Sequence, residues 1–330
     1  AELIGIPVVL VLNAKSTAYT VAPVLYGFKH FYPGIRVVGV VFNFVASVAH
    51  YAYLQQACVD AGVEALGYIP KDESIVIPSR HLGLSIDETF CFDAFADRVA
   101  EVIDKTVNVD RLLELCTVEF SGEQTEGVIC SGNKKIAIAR DEAFNFMYRE
   151  NVEALKRAGE VVFFSPLHDK RLPDADLVYF PGGYPELYLP ELAANEGMRQ
   201  AVRKYCETGG RVLAECGGMM YLCDTITSDD GEGYPMAGVL KQGATMEQMK
   251  LKLGYREVRV NGQRIRGHEF HYSRILPGHE KIPVIGTIYN AKDMVVDTPV
   301  YTYKNVLASY IHFYWGECGI DHFLMLMSQK

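Results

Sequence analysis

Residues 213–219 read Leu-Ala-Glu-Cys-Gly-Gly-Met, an apolar strand pattern that runs into a cysteine, two glycines and the start of a helical pattern. Glycines allow the tight turn that such a junction needs. A helix start beside the sulfur of Cys216 predicts a thiol with a lowered pKa, and the N–H of Gly217 is placed to bind an oxyanion. The stretch indicates a nucleophile on a strand–turn–helix elbow, although a buried, unreactive cysteine fits the same residues equally well.

A second glycine turn ends another predicted strand, at residues 179–186, which read Tyr-Phe-Pro-Gly-Gly-Tyr-Pro-Glu. Gly182 and Gly183 would expose backbone N–H groups at the carboxyl edge of a sheet, where ligands bind in α/β folds. An ordinary loop between strand and helix also fits. A cysteine nucleophile needs a base, and His312 stands directly after the predicted strand 307–311. From its position alone, His312 fits a core histidine as well.

The pattern outward from these motifs predicts two α/β domains. Strand and helix patterns alternate in the first third of the chain, which indicates a doubly wound parallel sheet. The predicted strands there are 6–12, 37–42 and 65–70, and the predicted helices are 20–31, 47–61 and 87–114. Strand 6–12 is apolar throughout and is expected to be buried on both faces. Polar residues 118–134 predict a linker between a domain at 1–117 and a second at 135–330.

The second predicted domain begins as an α/β unit and continues as a series of β segments. Its α/β part comprises predicted strands at 135–139, 161–164, 177–180 and 211–214, and predicted helices at 142–158 and 193–208. After Gly238 the predicted strands are 255–260, 264–272, 284–289, 300–303 and 308–312, and a helix at 320–327 closes the chain.

The composition is that of a globular protein, with 49% hydrophobic residues, 22% charged residues and a net charge of −9. A chain this acidic lacks the broad basic face that nucleic-acid binding requires. No apolar run approaches the roughly 18 residues of a membrane span, and residues 6–12 are too short for a signal peptide. The eight cysteines include no Cys-x-x-Cys pair. We therefore predict a reduced, cytoplasmic protein without nucleic-acid or membrane partners.

Three more histidines are candidates for chemistry. His268 and His271 belong to residues 267–273, Gly-His-Glu-Phe-His-Tyr-Ser. Their spacing of three places them on opposite faces of a strand. No further cysteine or histidine accompanies them at ligand spacing, so we expect no zinc site. His168 follows a predicted strand in a polar loop and is expected at the surface.

Five segments, taken in order, resemble the cobyrinic acid a,c-diamide synthase family, a corrinoid branch of the triad-type glutamine amidotransferases. They are residues 78–84 (Pro-Ser-Arg-His-Leu-Gly-Leu), 181–186, 214–218, 267–273 and 308–312. The first segment favours this family over cobyric acid synthase. The resemblance covers essentially the whole chain. It implies an incomplete dethiobiotin-synthetase-like, ATP-binding parallel-sheet domain at 1–117, followed by a class I glutamine amidotransferase-like α/β domain.

The resemblance implies an enzyme that uses ATP, Mg²⁺ and glutamine to amidate the a and c carboxylates of cobyrinic acid in cobalamin biosynthesis. Cys216 would then be the nucleophile of the glutaminase reaction and His312 its base. Gly182, Gly183 and Gly217 would form the oxyanion hole. Glutamine and a corrinoid or related tetrapyrrole are the implied substrates.

Further residues receive less specific roles from the resemblance. Asn43 matches the asparagine that reads adenine in the ATP-binding domain type, although an asparagine at a strand end is often a turn former. Arg80, His81, His268 and His271 are possible contacts to the anionic macrocycle or at an interface. Structural polar pairing fits these residues equally well.

The chain departs from the amidotransferase pattern at two places. Position 314 is tyrosine where a triad ends His-x-Glu, as in the corrinoid branch, which leaves a Cys–His dyad. The chain also contains no Gly-x-x-x-x-Gly-Lys-Ser/Thr loop, because residues 13–17 read Asn-Ala-Lys-Ser-Thr. We expect that loop and the magnesium carboxylates in roughly a hundred residues before Ala1, which would make this chain a fragment.

Two alternative functions stay open at this point. The same chemistry could act on another tetrapyrrole, Ni-sirohydrochlorin or hydrogenobyrinic acid, since their shapes and charges are nearly equal. Alternatively, the chain could be a non-catalytic paralogue that holds a tetrapyrrole. The missing phosphate loop favours the paralogue, whereas the intact Cys216, both glycine turns and His312 disfavour it.

Overall fold

The computed structural model of the chain describes residues 1–77, 79–80, 83–84, 91–119, 132–279 and 281–316. The chain divides into two compact units, Ala1–Thr125 (unit 1) and Glu126–Lys330 (unit 2). No described helix combines the length and the apolar character that crossing a bilayer requires. Most of the predicted linker, residues 120–131, lies outside the described residues. The predicted helix 320–327 lies outside them entirely.

Unit 1 is built on a β-α-β-α-β arrangement, as predicted. Its elements are β1 (Val8–Asn13), α1 (Ala22–His30), β2 (Val37–Val45), α2 (Val48–Ala61), β3 (Glu64–Pro70), β4 (Ser79–Arg80), β5 (Gly83–Leu84), α3 (Phe92–Thr106) and α4 (Val109–Cys116). Strands β1, β2 and β3 form a parallel sheet in that order. The core lies on this sheet and includes Leu25, Phe42 and Leu54.

Local signals set the boundaries of α2. The side chain of Ser47 accepts a hydrogen bond from the N–H of His50 at 3.1 Å and caps the helix start. Gly62 ends the helix in the left-handed conformation, with φ of 65°. Both ends lie where the sequence predicts them.

Two predictions for unit 1 are wrong in detail. Strand β1 is not buried on both faces, because it lies at an edge of the sheet and Val11 is 66% exposed. The predicted helix 87–114 is two helices, since Val107 is extended and forms a bridge with Gly67. Asn108 then caps α4 by accepting the N–H of Arg111 at 3.0 Å.

The described residues of unit 2 form three sheets. Its elements are β6 (Lys134–Ala139), α5 (Arg149–Ala158), β7 (Gly159–Phe164), β8 (Leu177–Phe180), α6 (Leu189–Ala194), α7 (Glu196–Glu207), β9 (Arg211–Glu215), α8 (Gly217–Leu222), β10 (Cys223–Thr227), β11 (Gly233–Pro235), β12 (Leu240–Thr245), β13 (Lys252–Val260), β14 (Gln263–His271), β15 (Arg274–Leu276), β16 (Thr287–Asn290), β17 (Val300–Tyr303), β18 (Val306–Ser309) and β19 (Ile311–Phe313).

The largest sheet of unit 2 has the strand order β17-β18-β9-β8-β6-β7 and is parallel except for β17. A second sheet has the order β16-β13-β14-β19 and is antiparallel throughout. The third sheet has the order β11-β10-β12-β15. The core between the first two sheets includes Tyr179, Leu213, Ile265 and Trp315. The fold is thus mixed α/β with parallel sheets, as predicted.

Three predictions for unit 2 are wrong in detail. The predicted helix 142–158 starts only at Arg149, because the carboxylate of Asp141 accepts hydrogen bonds from the N–H groups of Ala143 and Phe144 and forms a turn. The predicted helix 193–208 is divided into α6 and α7 at Asn195, which caps α7. The predicted strand 308–312 is divided between two sheets, with Ser309 ending β18 and His312 in β19.

Candidate active site

Cys216 lies between β9 and α8, on the predicted elbow. Its φ of 46° is unusual for a residue with a side chain, and such strain persists only where the surroundings enforce it. The N–H of Cys216 donates to the carbonyl of Ser309 at 2.8 Å, and its carbonyl accepts the N–H of Met220. The sulfur lies 3.9 Å from the carbonyl oxygen of Phe270. Hydrogen bonds to β18 and to α8 therefore hold the turn in place.

The Cys216 thiol is 7% exposed, and burial raises its pKa strongly. The negative charge of Glu186 raises this pKa further, while the N–H of Gly217 lowers it by a smaller amount. The prediction of a lowered pKa is therefore wrong, because a helix of six residues does not offset the burial of the sulfur. The resting group is a neutral thiol, which needs a base to become a nucleophile.

The two glycine turns contact each other. A Cβ on Gly217 would lie 3.2 Å from the nitrogen of Gly183 and 3.0 Å from its carbonyl oxygen. The N–H of Gly182 donates to the carbonyl of Phe146 at 3.1 Å, and Phe146 donates back at 3.0 Å. Because Gly182 already uses its N–H, the candidate oxyanion donors are reduced to Gly183 and Gly217.

His312 is enclosed by aromatic rings. It pairs with His268 across β19 and β14, and the two imidazole rings stack with centroids 4.8 Å apart. The ring of Phe146 contacts His312 edge-on at 4.7 Å. Gly182 completes the enclosure, since a Cβ there would lie 2.8 Å from Nδ1 of His312. The position of the imidazole is thus set on several sides.

The environment of His312 keeps its imidazole neutral. Burial, together with the smaller effect of the nearby His268 and His271, lowers the pKa of His312 to about 3. Among the described residues, Nδ1 of His312 has no hydrogen-bond partner. A neutral imidazole has a nitrogen that can accept a proton, but this environment disfavours the imidazolium that results.

The glycine turns connect the predicted nucleophile to the predicted base. Gly217 follows Cys216 directly and contacts Gly183, and Gly182 contacts the ring of His312. The N–H of Cys216 is also bonded to Ser309, three residues before His312. The structure therefore brings all five of these predicted residues into one continuous region of unit 2.

The loop 141–148 contributes two site residues that the sequence analysis missed. Phe146 contacts His312 and is bonded to Gly182. The hydroxyl of Tyr148 lies 2.6 Å from Nδ1 of His268. Residues 144–148 read Phe-Asn-Phe-Met-Tyr, and aromatic residues at every second position indicate an extended segment. This alternation of aromatic residues was visible in the sequence, within the range 142–158 that was predicted as a helix.

His271 belongs to a buried charge cluster on the opposite face of β14 from His268, as its spacing predicts. Its Nδ1 faces the carbonyl of Ser273 and its Nε2 faces Glu269, both at 2.8 Å. Both ring nitrogens of His271 therefore lie within hydrogen-bond distance of an oxygen, which fixes the ring. Glu269 also accepts from Arg256 at 2.7 Å and from Thr298 at 2.8 Å.

Glu269 makes the stability of unit 2 dependent on pH. Burial alone raises the pKa of Glu269, but hydrogen bonds from His271 and Thr298 and the nearby positive charges outweigh it and lower the pKa to about 2. A lowered pKa adds stability above the unfolded value of about 4.3, and this stability is lost as the pH falls toward 2. We expect Glu269→Gln to cost about 3 kcal/mol near pH 7.

Urea unfolding of both proteins between pH 7 and pH 3 tests this expectation. The difference in the free energy of unfolding should shrink steadily below pH 5. Glu153→Gln is the matched control, because Glu153 pairs with Lys156 at an exposed position and such pairs contribute little. A difference for Glu269→Gln that stays constant across the pH range would contradict the argument.

The other predicted residues fall into three groups. Asn43 lies within β2, not in a turn, and its side chain accepts the N–H of the next residue, Phe44, at 2.8 Å. Arg80 lies in β4, but its side chain and all of His81 lie outside the described residues. His168 is exposed, as predicted, and pairs with Glu142 at 2.9 Å.

Comparison with known proteins adds a family to this geometry. A family profile described as a CobB/CobQ-like glutamine amidotransferase domain matches residues 135–318. The cobyrinate a,c-diamide synthase of Salmonella typhimurium is 34% identical over 333 residues, which cover 96% of this chain and 72% of that protein. The chain belongs to the cobyrinate a,c-diamide synthase family.

Further members of the family are similarly close. The cobyrinate a,c-diamide synthase of Caldanaerobacter subterraneus is 36% identical, covering 98% of this chain and 75% of that protein. The hydrogenobyrinate a,c-diamide synthase of Pseudomonas aeruginosa is 36% identical, covering 95% of this chain and 71% of that protein. Membership makes the chain a glutamine-dependent amidotransferase, and the predicted resemblance is confirmed.

Proposed function

We propose that the chain hydrolyses glutamine at Cys216 and His312 to supply ammonia for the a,c-diamidation of cobyrinate. One observation carries the catalytic part of this proposal. A cysteine on a strained elbow and a neutral, buried imidazole are joined by two glycine turns in direct contact. The acceptor follows from the family to which the chain belongs.

The first half of the reaction forms a thioester. The sulfur of Cys216 attacks the side-chain amide carbon of glutamine, and the thiol proton passes to the His312 imidazole. The amide carbonyl becomes an oxyanion, for which the N–H groups of Gly183 and Gly217 are the candidate donors. Loss of one such donor costs about 3–4 kcal/mol of barrier in other enzymes. The imidazolium then protonates the leaving nitrogen, and ammonia departs.

The second half of the reaction restores the enzyme. Water adds to the thioester carbon while His312 takes one of its protons, and the carbon–sulfur bond breaks. The proton returns to the sulfur of Cys216, and glutamate leaves. The ammonia takes up the proton of the new carboxylic acid, so glutamine and water are converted into glutamate and ammonium, and the atoms and charges balance without a further reactant.

The described part of unit 1 does not supply a phosphate site. The carboxamide oxygen of Asn13 accepts the N–H of Lys15 at 2.9 Å, and Ser16 has a φ of 58°, so residues 13–17 form a local turn. Among the described residues, no three His, Cys, Asp or Glu side chains are arranged to hold a metal ion. We derive no step of ATP or Mg²⁺ use from these residues. ATP dependence, the dethiobiotin-synthetase-like character of unit 1 and the adenine contact of Asn43 remain predictions of the family resemblance.

A second acceptor is favoured by a specific observation. One relative at 36% identity is a hydrogenobyrinate a,c-diamide synthase, and this percentage equals that of a cobyrinate enzyme. Hydrogenobyrinate is therefore the second candidate. No finding of this kind favours Ni-sirohydrochlorin, and the complete Cys216 and His312 site argues against a non-catalytic paralogue.

Competition between acceptors tests the proposal. The full-length protein is incubated with glutamine, ATP, Mg²⁺ and equal amounts of cobyrinate, hydrogenobyrinate and Ni-sirohydrochlorin, and the amides are resolved by mass spectrometry. We expect the a,c-diamide of cobyrinate to form fastest. Faster conversion of hydrogenobyrinate would select the second candidate, and glutamate release without any amidation would refute the acceptor assignment while leaving the glutaminase intact.

A further inference from the structure

A buried carboxylate lies immediately before the nucleophile. Glu215 ends β9 and is 1% exposed. A buried carboxylate is costly unless its oxygens accept hydrogen bonds. Oε2 of Glu215 accepts the hydroxyl of Tyr179 at 2.8 Å, and Oε1 accepts the N–H of Phe313 at 3.2 Å. Phe313 is the residue that directly follows His312, so this side chain links the neighbours of the two proposed catalytic residues.

The link matters because the nucleophile and the base lie on different sheets. Cys216 follows β9 of the six-stranded sheet, whereas His312 lies in β19 of the antiparallel sheet. Strands β18 and β19 are separated by Tyr310 alone, where the chain passes from one sheet to the other. The hydrogen bond from Phe313 to Glu215 spans the two sheets next to the reacting groups.

A second buried side chain holds the same backbone from the other side. Asn151 is fully buried. Its amide nitrogen donates to the carbonyl of Phe313 at 2.7 Å, and its oxygen accepts the N–H of Trp315 at 2.9 Å. Glu215 and Asn151 therefore hold the backbone N–H and the backbone carbonyl of Phe313, the residue that directly follows His312.

We propose that Glu215 is a positioning residue that fixes His312 relative to Cys216 through the main chain of Phe313. The proposal rests on the proposed glutaminase function. In a triad, an acid two positions after the histidine holds the imidazole ring, but position 314 is tyrosine here. Among the described residues, Nδ1 of His312 has no such partner. Glu215 acts instead on the strand that carries His312, and it acts as a hydrogen-bond acceptor.

Substitutions at Glu215 test whether its hydrogen bond to Phe313 positions His312. Glu215→Leu removes both acceptors, and we expect the kcat of glutamate release to fall about 30-fold with little change in KM. This is less than the 10²-fold that a displacement of about 1 Å can cost, because Asn151 still holds β19. Glu215→Gln keeps one acceptor oxygen for the N–H of Phe313 and should retain most of the activity.

A matched control separates positioning from a general loss of stability. Val202→Ala truncates a side chain that is 1% exposed in α7. It should lower the midpoint of thermal unfolding while leaving the kcat of glutamate release unchanged. Asn151→Leu removes the second tether and should lower kcat in the same way as Glu215→Leu. If Glu215→Leu does not fold, Asn151→Leu takes its place in the comparison.

The outcomes are distinct. An unchanged kcat in Glu215→Leu, or a loss in Glu215→Gln as large as in Glu215→Leu, would overturn the positioning proposal. An equal loss in Val202→Ala would overturn it too, because any destabilisation would then suffice. Absence of glutamate release by the unsubstituted protein would instead refute the proposed function, so the two failures can be told apart.

Discussion

Replacement of Cys216 by alanine is expected to abolish glutamate release. The substitution removes the only atom that can form the thioester in the proposed reaction, and removal of a nucleophile elsewhere costs on the order of 10⁶ in kcat. In the full-length protein, amidation of cobyrinate with ammonium chloride in place of glutamine should persist, since that step does not need the thiol. The measurement compares glutamate release and amide formation with each nitrogen source.

The control for this prediction is a second buried cysteine. Cys206 is fully buried in α7 and burial raises its pKa to about 12, so its thiol is also neutral at rest. Cys206→Ala should retain both activities. Glutamate release by Cys216→Ala at the rate of the unsubstituted protein would show that Cys216 is not the nucleophile.

Replacement of Gly182 by alanine is expected to have the second largest effect. The added Cβ would lie 2.8 Å from Nδ1 of His312 and closer still to Cε1. The imidazole has little room to retreat, because His268 and Phe146 pack against it. A ring displaced by about 1 Å can cost 10²-fold in rate, so we expect kcat for glutamate release to fall by about that factor.

Gly197→Ala is the control for the added methyl group. A Cβ at Gly197 would meet its nearest neighbour, the carbonyl oxygen of Lys170, at an ordinary 3.4 Å, so glutaminase kinetics should not change. Wild-type kcat in Gly182→Ala would mean that His312 tolerates displacement. In that case, the base of the reaction would have to be sought elsewhere.

Motif chemistry made the centre of the site predictable. A cysteine between a buried strand and two glycines is a local pattern, and its consequences for the turn at Cys216 are local too. The second turn at Gly182 and Gly183 follows from the same reasoning. Helix caps at Ser47 and Gly62 were predictable for the same reason, because each depends on a few adjacent residues.

Long-range relations were not predictable from the same sequence. The rise in the pKa of Cys216 comes from burial by many distant residues, which opposes the helix-start argument. The hydrogen bond from the N–H of Gly182 to the carbonyl of Phe146 depends on the loop 141–148. Most of that loop was predicted as part of a helix. Glu215 stands in the quoted motif, and a carboxylate in an apolar strand was a visible signal. Its partner Phe313 is 98 residues away.

The neutral resting state of Cys216 has a consequence for the chemical lifetime of the enzyme. Peroxides and alkylating agents attack thiolates far faster than thiols, and oxidation beyond sulfenic acid is in general irreversible. A sulfur that stays protonated until an amide carbonyl and the His312 imidazole meet it is a poor target for such reagents. We therefore expect burial of the Cys216 thiol to slow its inactivation between turnovers of the proposed reaction, in which each cycle includes a proton transfer.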